Sequence, residues 1–143
     1  QDKIIEKFKE ASKNYNLPIR NTYISQNMDK IEKYFSKNSV KEIYYDLKDN
    51  FDDSFAYKNY HNLKIRSPLM LNVQFEKYFM CKNLSAEQTI DLDLHILNYA
   101  TDNGDVAEGI RATMIDKDEN PTWSVKSIED VDMKIVMDIL NEQ

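Results

Sequence analysis

Apolar side chains recur along most of the chain at the three- and four-residue spacing of an amphipathic helix, and this spacing predicts an all-α structure. Only two glycines and three prolines interrupt the pattern, which argues against a turn-rich β protein. No segment alternates long enough to predict a strand. Helices are predicted over Lys3–Asn14, Asn27–Phe35 and Ser54–Lys64, with further helices beginning at Ser39, Ser67, Ser85, Asp105 and Ser127.

The predicted helix starts rest on capping signals. A Ser or Asp followed three residues later by an acidic or amide residue opens the segments 39–42, 85–88, 105–108 and 127–130. At Ser67-Pro68, a cap precedes a proline at the first helical position, where the missing N–H costs nothing. We expect the long helix from Ser85 to end near Asn103-Gly104, and the short one from Asp105 to run to about Met114. Residues 116–123 are predicted to form an irregular turn.

The apolar stripes also predict which positions enter the core. In the segments from residue 27 onwards, the predicted core positions are Met28, Ile31, Tyr34, Phe35, Val40, Ile43, Tyr44, Leu47, Phe55, Tyr60, Leu63, Ile90, Leu94, Leu97, Val131, Ile135, Val136 and Ile139. In the helix behind Ser67, we expect burial of some of these five residues: Leu69, Leu71, Val73, Phe75 and Phe79.

Composition narrows the classes of function. The 143 residues fit one domain, 1–143, and are enough to bury a substantial core. A net charge of −6 argues against a nucleic-acid partner, which would require a basic face. No apolar run is long enough to predict a membrane span. Cys81 is the single cysteine, so no intrachain disulfide is possible, and nothing beside it predicts a reactive thiolate.

No constellation of catalytic or metal-ligating residues stands out. The two histidines, His61 and His95, fall on different predicted helices without metal-ligand spacing. Asp116, Asp118 and Asn120 resemble the first positions of a calcium loop, but proline replaces the required glycine and serine the final glutamate. We therefore predict no catalytic residue, no metal site and no separate cofactor within this chain.

One stretch resembles a known family. Residues 108–123, EGIRATMIDKDENPTW, are similar to the C-terminal signature of the 3-hydroxyisobutyryl-CoA hydrolases, a branch of the crotonase (enoyl-CoA hydratase/isomerase) superfamily. The family form is close to EGVRAxLIDKDxxPxW. Two upstream blocks, at 27–43 and 65–73, resemble family blocks in the same order, so the resemblance covers about 27–131.

The resemblance implies the fold and the activity of a larger parent protein. It implies an all-α, multi-helix C-terminal region of a crotonase-like protein, without the β-spiral core. The parent would hydrolyse 3-hydroxyisobutyryl-CoA in valine catabolism, in mitochondria. Backbone N–H groups of the core would form an oxyanion hole, and acidic side chains there would carry out the chemistry. None of those groups maps onto this sequence, so the 143-residue chain alone is predicted to be inactive. Coenzyme A would enter as part of the acyl-CoA substrate, bound through the missing core.

The resemblance also implies one ligand contact. Related crotonases have an aromatic residue and a lysine that touch the adenine end of coenzyme A, and Lys117 matches that lysine in position. The aromatic residue has no match, since Met114 and Ile115 stand near its place. Two positions depart from the family pattern. Residues 93–95 of the long helix read DLH where the family has EYR, and Val106 stands where the family has an aromatic residue, two positions before Glu108.

Two other functions fit the same sequence. One is a non-catalytic crotonase-like structural subunit, of the kind found in mitochondrial ribosomes. The other is a free-standing helical interaction module.

Because the chain opens with Gln1, we expect it to be a fragment or a processed product. An apolar face that a missing core would cover predicts self-association of the isolated chain into a dimer or higher oligomer.

Overall fold

The computed structural model describes residues 22–141, together with Glu6, Lys7 and Glu10. Every regular element among these residues is helical, which confirms the predicted all-α class. The predicted helix Lys3–Asn14 falls largely outside the described residues, although Glu6, Lys7 and Glu10 are helical. The chain divides into two units, 1–33 and 34–143, and the second contains the core and the candidate functional site described below.

Eight α-helices lie within the described part of the chain. They are α1 (Tyr23–Gln26), α2 (Met28–Phe35), α3 (Val40–Asp49), α4 (Ser54–Lys64), α5 (Pro68–Met80), α6 (Ala86–Asp102), α7 (Asp105–Ile110) and α8 (Met133–Asn141). Short 3₁₀-helices cover Cys81–Asn83 and Ile128–Asp130, and a π-helical turn covers Arg111–Ile115. Among the residues that the structure describes, no helix is both long enough and apolar enough to cross a membrane.

Three of the predicted caps are confirmed. At the start of α6, the Ser85 hydroxyl accepts from the Gln88 N–H at 3.2 Å, and the Gln88 side chain accepts from the Ser85 N–H at 2.8 Å. Ser67 caps α5 through the Met70 N–H at 3.2 Å. Ser39 caps α3 in the same way. Each bond satisfies a backbone donor that has no partner within its own helix.

Two predicted caps are wrong. Asp105 does not cap α7, because Gly104 holds the cap position with φ of 90°, a left-handed conformation that favours glycine. Ser127 does not start the last helix either. Its hydroxyl donates to the Asp130 carboxylate at 2.8 Å in a 3₁₀ turn, and α8 begins only at Met133. Neither segment forms a capping box. Asp105 accepts tertiary hydrogen bonds from Ser67 and Ser124, and Asp130 accepts a local one from Ser127.

The core of the second unit forms where α5, α6 and α8 meet. Its buried residues are Leu69, Val73, Leu92, Ile96, Val136, Ile139 and Leu140. A second group of buried residues lines α3, α4 and the end of α2, and it comprises Tyr34, Val40, Ile43, Leu47, Phe55, Ala56 and Tyr60. The predicted inward positions of α3 are confirmed for Val40, Ile43 and Leu47, while Tyr44 is half-buried.

The predicted buried face of α6 is wrong. The structure buries Leu92 and Ile96 against α5 and α8, whereas Ile90, Leu94 and Leu97 are 66%, 57% and 53% exposed. Both stripes have helical spacing, so periodicity alone does not decide between them; the position of α5 and α8 does. In α8 the predicted inward residues Val136 and Ile139 are buried, whereas Ile135 is 41% exposed; Leu140, which was not predicted, is buried as well. The prediction also fails at Met28, which is 54% exposed in α2.

Candidate functional site

Residues 108–123 fold into a turn organised by one guanidinium group. Arg111 donates from Nε and Nη2 to both oxygens of Glu108, at 2.9 and 2.8 Å. Its Nη1 donates to Asp116 at 2.5 Å and to Asp118 at 2.8 Å. Its Nη2 also donates to the Asn120 carbonyl at 3.2 Å. These bonds, called the Arg111 clamp below, hold the predicted irregular turn against α7.

The clamp lowers the pKa of two of its carboxyl groups, those of Glu108 and Asp118. The hydrogen bonds from Arg111 and from the Thr122 N–H, the latter 2.6 Å long, lower the pKa of Glu108 to about 2. Arg111 likewise lowers the pKa of Asp118, with the Asn120 N–H as the second cause. The three carboxylates in turn raise the pKa of Arg111. The pairing of Arg111 with Glu108 and Asp118 therefore favours the charged form of all three groups, which suits a structural clamp.

The clamp also explains the partial calcium-loop pattern. Asp116 and Asp118 turn their carboxylates towards Arg111 rather than towards a common cation position. Throughout the residues that the structure describes, no group of three or more His, Cys, Asp or Glu side chains is placed to hold a metal ion. The signal that sequence analysis missed was Arg111, whose spacing to the acidic residues brings them around one cation.

Lys117 lies at the exposed tip of this turn. Its φ of 55° and that of Glu119, 51°, are both left-handed, and a hydrogen bond of 3.1 Å from the Glu119 N–H to the Ala112 carbonyl closes the turn. Within the described part of the chain, the Lys117 ammonium forms no ion pair. A charged group on a turn fixed at its base is well placed to meet an anionic ligand, and contact with coenzyme A stays a prediction.

Trp123 packs onto Gly109 of α7. A Cβ added at Gly109 would lie 3.3 Å from Cη2 of the Trp123 indole, so a side chain there would force the ring to move. The indole N–H is buried and has no acceptor among the described residues. This contact makes Trp123 a packing anchor for α7, and the ring also lines two clefts.

Asp105 ties three segments together at the base of these clefts. It is 5% exposed and accepts from the Ser67 hydroxyl at 2.6 Å and from the Ser124 N–H at 2.9 Å. It therefore joins the start of α5, the start of α7 and the segment that follows Trp123. Buried carboxylates need such donors because desolvation is costly.

Two clefts open beside Trp123. The larger has a volume of about 600 Å³ and lies between the end of α4 and the residues of α7 and the π turn. The smaller, about 290 Å³, has Met70, Leu71 and Ala100 among its apolar walls. Arg66, Asp105, Val106 and Trp123 line both clefts. Sequence analysis did not single out Arg66, because its position between α4 and α5 gives no pattern in the chain.

The remaining chemically reactive side chains lie elsewhere. His61 stands on α4 among aromatic rings, 4.4 Å from Tyr57 and 6.2 Å from Phe51 between ring centroids. His95 lies on α6, and its Nε2 is buried without a hydrogen-bond partner among the described residues. Cys81 follows α5 as a free, half-buried thiol.

A family model described as enoyl-CoA hydratase/isomerase matches residues 1–140. The chain belongs to the enoyl-CoA hydratase/isomerase family. This membership confirms the superfamily that the signature at 108–123 predicts.

Individual members of the family give a finer comparison. The chain is 33% identical over 132 residues to the mitochondrial 3-hydroxyisobutyryl-CoA hydrolase of Dictyostelium discoideum, covering 92% of this chain and 32% of that protein. The enzyme of the same name from Xenopus laevis is 33% identical over 108 residues, covering 76% of this chain and 28% of that protein. The Homo sapiens enzyme is 27% identical over a stretch of equal coverage. The chain thus spans about a third of the length of these relatives.

Proposed function

We propose that this chain is the helical part of an acyl-CoA thioester hydrolase that acts on 3-hydroxyisobutyryl-CoA or a close analogue. The catalytic groups, in this proposal, belong to a crotonase core outside the chain. Its similarity to proteins named 3-hydroxyisobutyryl-CoA hydrolase, together with the coverage of a third of their length, supports the proposal. Because those relatives are named mitochondrial, the proposed location is the mitochondrion.

The exposed face of α6 is the observation that supports a role for this chain in packing against the catalytic core. Ile90, Leu94 and Leu97 form a continuous apolar stripe, defined here as the α6 stripe, and each residue is more than half exposed. Contiguous exposed apolar surface is a common mark of a docking site. We propose that the catalytic core covers the α6 stripe in the whole protein, so that this chain buttresses the core. In the isolated chain, the same stripe would drive self-association.

The proposed ligand contact is Lys117. The Arg111 clamp fixes the base of the turn while the Lys117 ammonium remains exposed, so a phosphate or the adenine end of coenzyme A could pair with it without displacing a partner. A contact at the rim of a binding site contributes only modestly to the free energy of binding, as an exposed ion pair does. In the whole protein, Lys117→Ala should therefore raise the KM for the acyl-CoA several-fold and leave kcat nearly unchanged.

Lys126→Ala is the matched control for that variant, since it removes an exposed lysine from the next segment without touching the turn. An equal KM for the Lys117→Ala variant and the wild type would contradict the coenzyme A contact. A fall in kcat with unchanged KM would contradict it as well.

The experiment that tests the proposed function is hydrolysis of 3-hydroxyisobutyryl-CoA by the whole protein, followed through the released coenzyme A thiol. We expect turnover in the wild type and reduced turnover in the Leu94→Asp variant, because a charge in the α6 stripe would weaken docking of the core. Absence of turnover in a folded whole protein would contradict the proposal and favour a non-catalytic, crotonase-like structural subunit.

A further inference from the structure

Lys117 is surrounded by acidic residues in the sequence, yet its ammonium group is left without an internal partner. Asp116 and Asp118 are its immediate neighbours, and Glu119 follows. A lysine has a flexible four-carbon stem, so in an irregular turn it can pair with a carboxylate close to it in sequence. Within the part of the chain that the structure describes, Lys117 is exposed and forms no ion pair with any of the three. The fold therefore keeps these carboxylates away from the ammonium group.

Arg111 holds the two carboxylates that flank Lys117. Its Nη1 donates to Asp116 at 2.5 Å and to Asp118 at 2.8 Å, so a single nitrogen draws both carboxylates to one place. The rest of the guanidinium binds both oxygens of Glu108. A guanidinium presents five N–H donors in a fixed planar array, whereas an ammonium group is a compact point charge. Arg111 can therefore satisfy several carboxylates at once, which Lys117 cannot do.

The backbone of the turn keeps Lys117 at its tip. Lys117 and Glu119 both have left-handed φ values, 55° and 51°. Residues other than glycine hold this conformation only where the surrounding contacts enforce it. Two such contacts are present, since the Glu119 N–H donates to the Ala112 carbonyl at 3.1 Å and the Asn120 N–H donates to the Asp118 carboxylate at 2.9 Å. Glu119 itself lines the larger of the two clefts and takes no part in the Arg111 clamp.

From these contacts we infer that Arg111 is a positioning residue, which binds the carboxylates of Asp116 and Asp118 and so leaves the Lys117 ammonium free for a phosphate group of coenzyme A. The inference rests on the proposed function in one respect, namely that coenzyme A is the anion that Lys117 meets. Arg111 acts through Lys117 and does not itself touch the ligand. Loss of the guanidinium would release two carboxylates next to the lysine, and an internal ion pair would then compete with the ligand.

Calorimetric titration of the whole protein with coenzyme A tests the inference without requiring turnover. Lys117→Ala should raise the dissociation constant about fourfold, within the range of an exposed ion pair, and Arg111→Met should raise it by a similar factor. The double variant should have the same dissociation constant as Lys117→Ala, because Arg111 has no effect once the ammonium group is gone. A further rise of about threefold in the double variant would show independent, additive effects and would overturn the inference.

A suppressor variant separates this role from a purely structural one. Adding Asp116→Asn and Asp118→Asn to Arg111→Met removes the carboxylates that would capture Lys117, so the dissociation constant should return to within about twofold of the wild type. A clamp that only holds the turn in shape predicts no recovery, since the guanidinium is still absent. Glu119→Gln is the matched control, because Glu119 is acidic and close to Lys117 but lies outside the clamp, and adding it to Arg111→Met should give no recovery.

Arg111→Lys keeps the comparison valid if Arg111→Met does not fold, which circular dichroism shows. It retains one cation with fewer donors, so its dissociation constant should lie between those of the wild type and Lys117→Ala. An unchanged dissociation constant in the folded Arg111 variants, alongside a raised one in Lys117→Ala, would overturn the inference and leave the Lys117 contact standing. No difference between Lys117→Ala and the wild type would overturn both. Hydrolysis of the thioester is measured separately, so its failure is distinguishable from either result.

Discussion

At the scale of single residues, Arg111 explains most of the turn that follows α7. Its guanidinium donates hydrogen bonds to both oxygens of Glu108, to one oxygen each of Asp116 and Asp118, and to the Asn120 carbonyl. The acidic residues that suggest a calcium loop in the sequence therefore form ion pairs within the protein. The acidic pattern can be recognised in the sequence, but that Asp116 and Asp118 share Arg111 as their partner follows only from the folded structure.

The lowered pKa of Glu108 predicts a specific pH dependence of stability. The folded pKa of about 2 lies below the ordinary value of 4.5, so the contribution of the carboxylate is complete above pH 4.5 and is lost as the pH falls towards 2. The difference in free energy of unfolding between wild type and Glu108→Gln should therefore shrink over that range. Urea unfolding at a series of pH values measures it.

A double-mutant cycle provides the control for this prediction. In an Arg111→Met background, the largest cause of the low pKa of Glu108 is gone. The coupling energy between positions 108 and 111 should therefore be present at pH 6 and much smaller at pH 2. A wild-type advantage over Glu108→Gln that stays constant from pH 6 to 2 would show that the Arg111 clamp does not act through the charge of Glu108.

At the scale of the elements, α6 shows why two apolar stripes on one helix mislead a sequence-based assignment. Leu92 and Leu94 are two residues apart and point in different directions, and the structure buries the first to 1% exposure while leaving the second 57% exposed. Local signals such as the Ser85 capping box are confirmed because they depend on residues close in sequence. The buried face depends on where α5 and α8 lie, which no local spacing encodes.

The two leucines of α6 make a matched test of that face. Leu92→Ala should lower the free energy of unfolding by about 2–5 kcal/mol, because it leaves a cavity in the core. Leu94→Ala should change it by no more than about 0.5 kcal/mol, as is usual for an exposed position. Urea unfolding of both variants measures the difference. A larger loss of unfolding free energy for Leu94→Ala than for Leu92→Ala would contradict the observed burial and support the face predicted from the sequence.

At the scale of the whole molecule, the chain has a core of its own yet leaves the α6 stripe uncovered. The core between α5, α6 and α8 contains fully buried side chains, including Val73 and Val136 at 0% exposure. The signature at 108–123 allowed the superfamily to be predicted from sequence, and the family match confirms it. The smaller cleft beside Trp123 could not be predicted, because its lining comes from four segments that only folding brings together.

Exposure of the α6 stripe predicts self-association of the isolated chain. Sedimentation equilibrium should show a dimer or higher oligomer, and Leu94→Lys should shift it to the 16.9 kDa monomer. Met114→Lys is the matched control, since Met114 is 69% exposed and lies outside the stripe. A single monomer mass for the wild type at all concentrations would contradict the prediction, as would an equal effect of Met114→Lys.

The most direct test of the central claim compares the 143-residue chain with the whole protein in one assay of 3-hydroxyisobutyryl-CoA hydrolysis. The proposal that this chain supports a catalytic core, without holding the catalytic groups itself, predicts release of coenzyme A by the whole protein. It predicts no release above background by the isolated chain, even at a large excess of protein. Turnover by the isolated chain that survives stringent purification, and that is lost when one of its own residues is substituted, would contradict the account.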